Sequence, residues 1–124
     1  MSERENVFTN LRNVFHEPSR LAIMSALCNA GDGLKFNELK EECDLTDGNL
    51  SRHLRALEEE KAIRIKKAFV KGKPQTTIYL TDRGRESFIE YLQALEEVLK
   101  KAAESLAQEK DVSLPLPLAR LARI

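Results

Sequence analysis

The hydrophobic period of this chain changes twice between Phe36 and Leu80, and that change constrains the fold more than any other feature. Residues 36–43 and 47–60 have the apolar spacing of amphipathic helices, and only residues 44–46 separate them. Residues 63–70 and 76–80 then alternate like strands around the basic segment 71–75. The stretch therefore predicts two helices joined by a tight turn and followed by a β-hairpin.

Further helices are predicted on both sides of this stretch. Residues 1–15 carry apolar side chains at helical spacing, and Pro18 suits the first turn of a second helix, where no N–H is needed. A long helix is predicted over residues 83–108, whereas residues 109–124 contain two prolines and are predicted to be irregular. With 124 residues, we expect a mainly α protein with a small β-hairpin, an α+β class, centred on residues 16–82.

Charge is balanced over the whole chain but not along it. Acidic and basic residues number 20 each, which taken alone argues against a generic nucleic-acid-binding protein. Residues 61–74, however, carry six lysines and arginines and no acid, whereas residues 86–111 carry seven acids and three lysines. This polarity predicts one face for an anionic polymer and another face for a different partner.

Two helices, a tight turn and a basic hairpin form the layout of a winged helix-turn-helix. In that layout the second helix enters a DNA major groove, and the hairpin, or wing, lies along the phosphates. Leu50, Leu54 and Leu57 must face the core, so the opposite side of residues 47–60 is free for DNA. The candidate DNA-contacting residues on that side are Gly48, Asn49, Ser51, Arg52 and Arg55. The alternative is a solvated helix face with two ordinary arginines.

The wing predicted at residues 66–75 adds four lysines to the candidate site. Lys66, Lys67, Lys71 and Lys73 can release counterions from phosphates without reading sequence. Lysines on an edge strand also discourage sheet-to-sheet aggregation, so the wing has a structural explanation as well.

The last predicted helix carries a heptad seam typical of a dimer. Its apolar residues Phe88, Leu92, Leu95, Leu99, Ala102 and Leu106 follow spacings of 4, 3, 4, 3 and 4. We therefore predict a homodimer through this C-terminal dimerisation helix. Three residues of the N-terminal helix are predicted to join the dimer interface: Phe8, Leu11 and Phe15. In the alternative, the helix folds back on its own domain and the chain is a monomer.

Three segments resemble known regulators. Residues 15–24 (FHEPSRLAIM), 50–58 (LSRHLRALE) and 78–85 (IYLTDRGR) are similar to winged-helix bacterial and archaeal transcription regulators, in the small group related to the MarR and ArsR families. The resemblance implies a homodimeric repressor or activator of transcription. In it Asn49, Ser51, Arg52 and Arg55 match the recognition helix, and Lys71 and Lys73 match the wing.

Other functions find less support in the sequence. Cys43 stands where related metal sensors carry the second cysteine of a pair, but Glu41 occupies the first position, and both Cys43 and Cys28 are predicted to be buried structural thiols. Ser51 and His53 lie two apart on a helix and point in different directions, so no enzyme and no cofactor are expected.

Two alternatives to a simple DNA-binding regulator remain open. One is a winged-helix module for protein–protein contact, and the other is a regulator controlled by an unidentified small-molecule effector. The sequence shows no signal peptide core or membrane span, so a cytoplasmic location is expected.

Overall fold

The computed structural model describes residues 14–109 and 113–123, which contain five helices and a three-stranded sheet. In chain order the elements are α1 (Pro18–Cys28), β1 (Leu34–Lys35), α2 (Phe36–Glu42), α3 (Asp47–Glu59), β2 (Ile63–Val70), β3 (Lys73–Leu80), α4 (Asp82–Ala107) and α5 (Leu116–Arg123). The predicted α+β class is confirmed. The N-terminal helix predicted over residues 1–15 lies outside the described residues, apart from a turn at residues 14 and 15.

The described chain divides into two compact units. Residues 14–89 belong to the first unit, and the described residues from Glu90 onward belong to the second. None of the helices within the described ranges is long and apolar enough to cross a membrane.

Helix α1 begins where the sequence predicts, at Pro18. The side chain of Glu17 caps it by accepting a hydrogen bond of 2.8 Å from the backbone N–H of Arg20. This leaves proline at the first helical position, where its missing N–H has no cost.

The turn between α2 and α3 has a backbone geometry that fixes where the second helix starts. Asp44 adopts a left-handed conformation (φ 53°), its N–H donates to the carbonyl of Glu41, and the N–H of Leu45 donates to the carbonyl of Lys40. These two hydrogen bonds form a Schellman motif, which ends α2 and satisfies carbonyls that its last turn leaves free. Only two residues, Leu45 and Thr46, then precede α3.

The sheet is antiparallel, in the order β1–β3–β2. The wing closes through a two-residue turn, Lys71 and Gly72, both of which have positive φ. A two-residue turn with positive φ at both positions matches the right-handed twist of the paired strands. The loop predicted at residues 71–75 is therefore too long, because β3 already begins at Lys73. Proline is tolerated at position 74 because β1 pairs only with Thr77 and Ile78, which leaves β3 with one neighbouring strand near the tip.

A single core fills the first unit, with apolar side chains contributed by helices α1 to α4 and by the sheet. Its buried members include Phe15, Ile23, Met24, Leu27, Leu39, Leu50, Leu54, Leu57, Ile63, Ile78 and Phe88. The rings of Phe15 and Phe88 meet edge to face, with centroids 5.4 Å apart. Both were predicted for the dimer interface, but each is only 2% exposed within one chain, so little of either ring is left for a partner. They are already covered within one chain, because the first turns of α4 belong to the core of the first unit.

The start of α4 is fixed to the end of α3 through a close backbone approach. The Thr81 hydroxyl donates to the backbone carbonyls of Lys61 and Ala62 at 2.7 and 3.0 Å and accepts from the N–H of Gly84 at 2.9 Å. A side chain at Gly84 would overlap the carbonyl of Ala62, so this position requires glycine. These contacts explain physically why threonine and glycine stand three apart after the wing.

Beyond the first unit, α4 keeps apolar side chains on its surface. Leu92, Leu99 and Leu106 are 41%, 41% and 42% exposed, Leu95 is half-buried and Ala102 is exposed. The buried residues of this part of the helix are Tyr91, Ala94 and Ala103. The predicted seam therefore coincides with an exposed apolar stripe rather than with the covered face. Phe8 and Leu11, its predicted companions, lie outside the described residues.

The tail contains a helix, which corrects the prediction that residues 109–124 are irregular. Helix α5 spans Leu116–Arg123, and the N–H of Ala119 donates to the carbonyl of Pro115 at 2.9 Å. Pro115 and Pro117 suggested a break, but they stand just before and within the first turn, where helical N–H groups have no intrahelical partner.

Candidate nucleic-acid interface

Helix α3 presents the face that the sequence assigns to DNA. Thr46 caps the helix, its hydroxyl accepting from the N–H of Asn49 at 3.2 Å. The three leucines of its inner face are buried, as their spacing requires. All five candidates on this helix have exposed side chains or, for Gly48, an exposed backbone: Gly48, Asn49, Ser51, Arg52 and Arg55. A Cβ added to Gly48 would meet no atom within 4 Å, so the backbone there is open to a ligand.

One cleft brings candidates from the helix and the wing together. It measures about 400 Å³ and lies between α3 and the base of the hairpin. Ser51 and Arg55 line it from the helix, and Lys67 lines it from β2. Leu54 and Ile65 are among its apolar residues. Residues that are far apart in sequence thus form one basic, partly apolar groove.

The wing distributes its lysines over two faces, since side chains alternate along a strand. Ile65 and Lys67 point to the cleft side, so Lys66 lies on the opposite face, in line with Arg64. The guanidinium of Arg64 lies 5.2 Å from the ring centroid of Tyr79, its cross-strand partner. Lys66 therefore faces away from α3, a distinction that the sequence prediction did not make.

The remaining wing lysines lie at the tip. Lys71 occupies the turn, and Lys73 lines a second groove of about 520 Å³ together with Lys35 of β1. Lys35 was not among the predicted site residues, because a single lysine on a two-residue strand gives no sequence signal. Only the pairing of β1 with β3 brings it near the wing.

Within the part of the chain that the structure describes, the basic side chains of this surface lack acidic partners. Among the described residues, no salt bridge involves Arg52, Arg55 or the four wing lysines. The acidic Glu58 lines the cleft as well, so the surface is mixed at that point. Uncompensated cations on both sides of the cleft are suited to an anionic polymer.

A buried histidine lies on the inner side of helix α3. His53 is 5% exposed, and its Nδ1 lies 3.6 Å from Oε2 of Glu17, the residue that caps α1. Burial lowers the pKa of His53, with Arg52 and Arg20 acting in the same direction against the charge of Glu17. Burial alone would raise the pKa of Glu17, but hydrogen bonds from the N–H groups of Arg20 and Ser19 and the nearby His53 and Arg20 charges lower it. Sequence reasoning missed this contact, because α1 and α3 are distant along the chain.

The cysteines differ from their prediction as buried structural thiols. Cys28 is exposed at the end of α1, and Cys43 is half-buried in the turn before α3. Burial, with a smaller effect of Glu42, raises the pKa of the Cys43 thiol. Ser51 and His53 do point apart, since the former is exposed and the latter buried.

The fold and this surface are those of a winged helix-turn-helix protein, and comparison with known proteins agrees with this assignment. Residues 19–99 match the family model of the winged helix DNA-binding domain. This match covers more than half of the chain, and the chain belongs to that family. The resemblance of residues 15–24, 50–58 and 78–85 to winged-helix transcription regulators is confirmed.

Three individual proteins show how this chain relates to others. It is 39% identical over 79 residues to the uncharacterized protein MJ0432 of Methanocaldococcus jannaschii, covering 64% of this chain and 85% of that protein. The structure of a transcriptional regulator homologue from Pyrococcus horikoshii OT3 superposes with a TM-score of 0.71 and 28% identity, over 82% of this chain and 98% of that one. S. aureus MepR, solved in complex with DNA, has a TM-score of 0.62 and 20% identity over 77% of each chain, which shows a shared fold.

Proposed function

We propose that this protein is a sequence-specific transcription regulator that binds DNA as a homodimer. In this proposal α3 enters the major groove, and the wing follows the phosphates. The observation that carries it is the cleft where Ser51 and Arg55 of α3 meet Lys67 of the wing. The arginines and lysines around it lack intrachain acidic partners within the described residues, so they are available to phosphates and base edges.

The two arginines of α3 are proposed to read bases. Arg52 and Arg55 are three residues apart on the exposed side of the helix, and an arginine can donate two hydrogen bonds to guanine O6 and N7. Asn49, near the N-terminal end of the same face, can pair with adenine. The exposed backbone at Gly48 lets this end of the helix approach the groove floor closely.

Dimerisation is proposed through the exposed stripe of α4. Leu92, Leu99 and Leu106 recur every seven residues, as in a helix that pairs with a second helix. Association of two copies would remove these leucines from water and would present two recognition helices to successive major grooves.

The proposal is tested by selecting duplexes from a random library with the purified protein and measuring the affinity of the selected sequence by fluorescence anisotropy. We expect an inverted repeat to be enriched. Arg52→Ala and Arg55→Ala should each cost roughly 1–3 kcal/mol on the selected site if the arginine reads a base, with a much smaller loss on random DNA. Glu59→Ala, on the same helix but at its exposed C-terminal end, serves as the control.

Two results would contradict the proposal. If no sequence is enriched and random duplexes bind as well as any other, then the chain does not read bases. If no duplex binds at all, then the alternative weighed from the sequence, a winged-helix module for protein–protein contact, gains support instead.

A further inference from the structure

Phe69 is a large apolar side chain exposed at the end of the wing. It is 79% exposed, more than any other large apolar residue of the described chain. Its cross-strand partner is Pro74, so two uncharged rings stand side by side near the tip. At this exposure the ring contributes little to the folded core, and its burial energy remains available for a partner.

The direction of the ring follows from the alternation of the strand. Ile65 and Lys67 line the cleft beside the recognition helix, and Phe69 is the next residue of β2 on that same face. It lies four residues beyond Ile65, or about 13 Å further along a strand. The ring therefore projects from the DNA-facing side of the wing, past the end of the cleft.

The charges around Phe69 identify the kind of partner. Lys67 precedes the ring by two residues on the same face, and Lys71 follows it by two in the turn, whereas Lys73 pairs with Val70 and lies on the other face of the wing. No acidic residue occurs between residues 61 and 74. An apolar ring on a wing that carries cations on both faces and at its tip complements a surface that has phosphates at its rim and an apolar interior, and a DNA groove is such a surface.

We infer that Phe69 is an apolar wedge that enters the minor groove beside the recognition site and partly unstacks one base step. The lysines on the two faces of the wing hold the phosphates on either side of the groove, while the ring packs between base edges and bends the duplex. This inference rests on the proposed function, since it requires α3 to occupy the neighbouring major groove. It adds a residue whose contribution depends on how easily a base step deforms rather than on hydrogen bonds.

The test compares Phe69→Ala with Val70→Ala. Val70 is a neighbouring apolar residue of the same strand, 43% exposed, and its side chain lies on the other face. Both variants should keep the parent's thermal unfolding temperature, because neither side chain is buried. Affinity for the selected duplex is measured by anisotropy over a range of salt concentrations, and 2-aminopurine placed in turn at flanking positions reports unstacking.

We expect Phe69→Ala to lose roughly ten- to hundredfold in affinity, as the loss of one buried aromatic ring implies. The salt slope should not change, because no phosphate contact is removed. The parent should raise 2-aminopurine fluorescence at one flanking step, Phe69→Ala should abolish this rise, and Val70→Ala should behave like the parent.

Several outcomes would overturn the inference. It is wrong if Phe69→Ala binds like the parent or if the two variants lose affinity equally, since either result removes the specific role of the ring. If Phe69→Ala loses the parent's binding to vesicles containing anionic phospholipid while its DNA affinity is unchanged, the ring binds a lipid surface instead. If DNA binds with full Phe69 dependence but without unstacking, the wedge is wrong. A parent that binds no duplex refutes the proposed function itself, a result distinct from all of these.

Discussion

At the scale of single residues, the buried His53 couples the stability of the fold to pH. Its pKa is lowered from 6.5 by burial, so the folded chain holds this imidazole neutral more strongly than the unfolded chain does. As the pH falls through 6.5 toward the lowered pKa, the folded state binds fewer protons than the unfolded state does. The free energy of unfolding therefore decreases over that window. Above pH 6.5 the His53 imidazole is neutral in both the folded and the unfolded chain, and its contribution to stability is fully present.

We therefore expect urea denaturation midpoints to fall as the pH is lowered from 7.5 to 5.5. His53→Gln, which cannot titrate, should flatten this dependence. Because Glu17 also has a lowered pKa, its own contribution is lost only at more acidic pH, as the carboxylate is protonated below about 4.5. A His53→Gln variant with the same pH dependence as the parent would show that other groups control stability in this range.

Gly84 provides a second prediction at the residue scale. Its backbone lies so close to the carbonyl of Ala62 that a methyl group cannot fit without moving one of the two segments. Gly84→Ala should lower the free energy of unfolding by about 1–3 kcal/mol, the usual cost of overpacking. Gly48→Ala is the matched control, since it also places alanine in the first turns of a helix but meets no neighbour. Chemical denaturation that finds the same stability for both variants would refute the close approach.

At the scale of elements, the wing and the recognition helix are expected to contribute different kinds of binding energy. The wing carries its lysines on two faces and at its tip, a distribution suited to phosphates on either side of a groove. Phosphate contacts carry no sequence information, whereas contacts from α3 to base edges do. Wing and helix variants should therefore differ in how affinity responds to salt and to sequence.

Lys71→Ala combined with Lys73→Ala should weaken binding to every duplex. Each phosphate contact that is lost should reduce the slope of log affinity against log salt concentration by about 0.9. Lys100→Ala with Lys101→Ala removes the same charge from α4 and serves as the control. Anisotropy titrations in which the wing variant keeps the parent's slope would exclude these lysines from phosphate contact.

At the scale of the whole molecule, the length of α4 favours association of two copies. The helix has 26 residues and is about 39 Å long, and its apolar stripe continues well beyond the first unit. Three leucines of that stripe are about two-fifths exposed, which is costly unless a partner covers them. The same spacing on a second copy supplies a partner of matching shape.

Leu99→Glu combined with Leu106→Glu should therefore convert a dimer to a folded monomer that binds a single half-site but not the full inverted repeat. Gln93→Glu with Gln108→Glu adds the same charge at exposed polar positions and should remain dimeric. Light scattering at micromolar concentration distinguishes these states. A parent that is monomeric under those conditions would refute the dimer, and the selected sites would then lack the expected half-site spacing of about 34 Å.

Much of the fold could be predicted from local signals, because those signals act over a few residues. The period of Leu50, Leu54 and Leu57 is set by helix geometry alone, and it fixed which side of α3 would be exposed. Thr46, Pro18 and the alternating wing likewise carry their structural preference in their own chemistry. The tail was the failure of this approach, since prolines that suggested a break belong to the start of α5.

What the tertiary structure decided is which distant residues meet. The cleft shared by Ser51, Arg55 and Lys67, the contact of His53 with Glu17, and the burial of Phe15 against Phe88 all join segments that are remote along the chain. The period of α4 predicted an apolar stripe but could not show that Phe88 faces its own core while Leu92 and Leu99 face outward. Local preference depends on neighbours in sequence, so the sequence determined the elements and the inner face of the recognition helix. Burial depends on neighbours in space, and these exist only once the elements have packed.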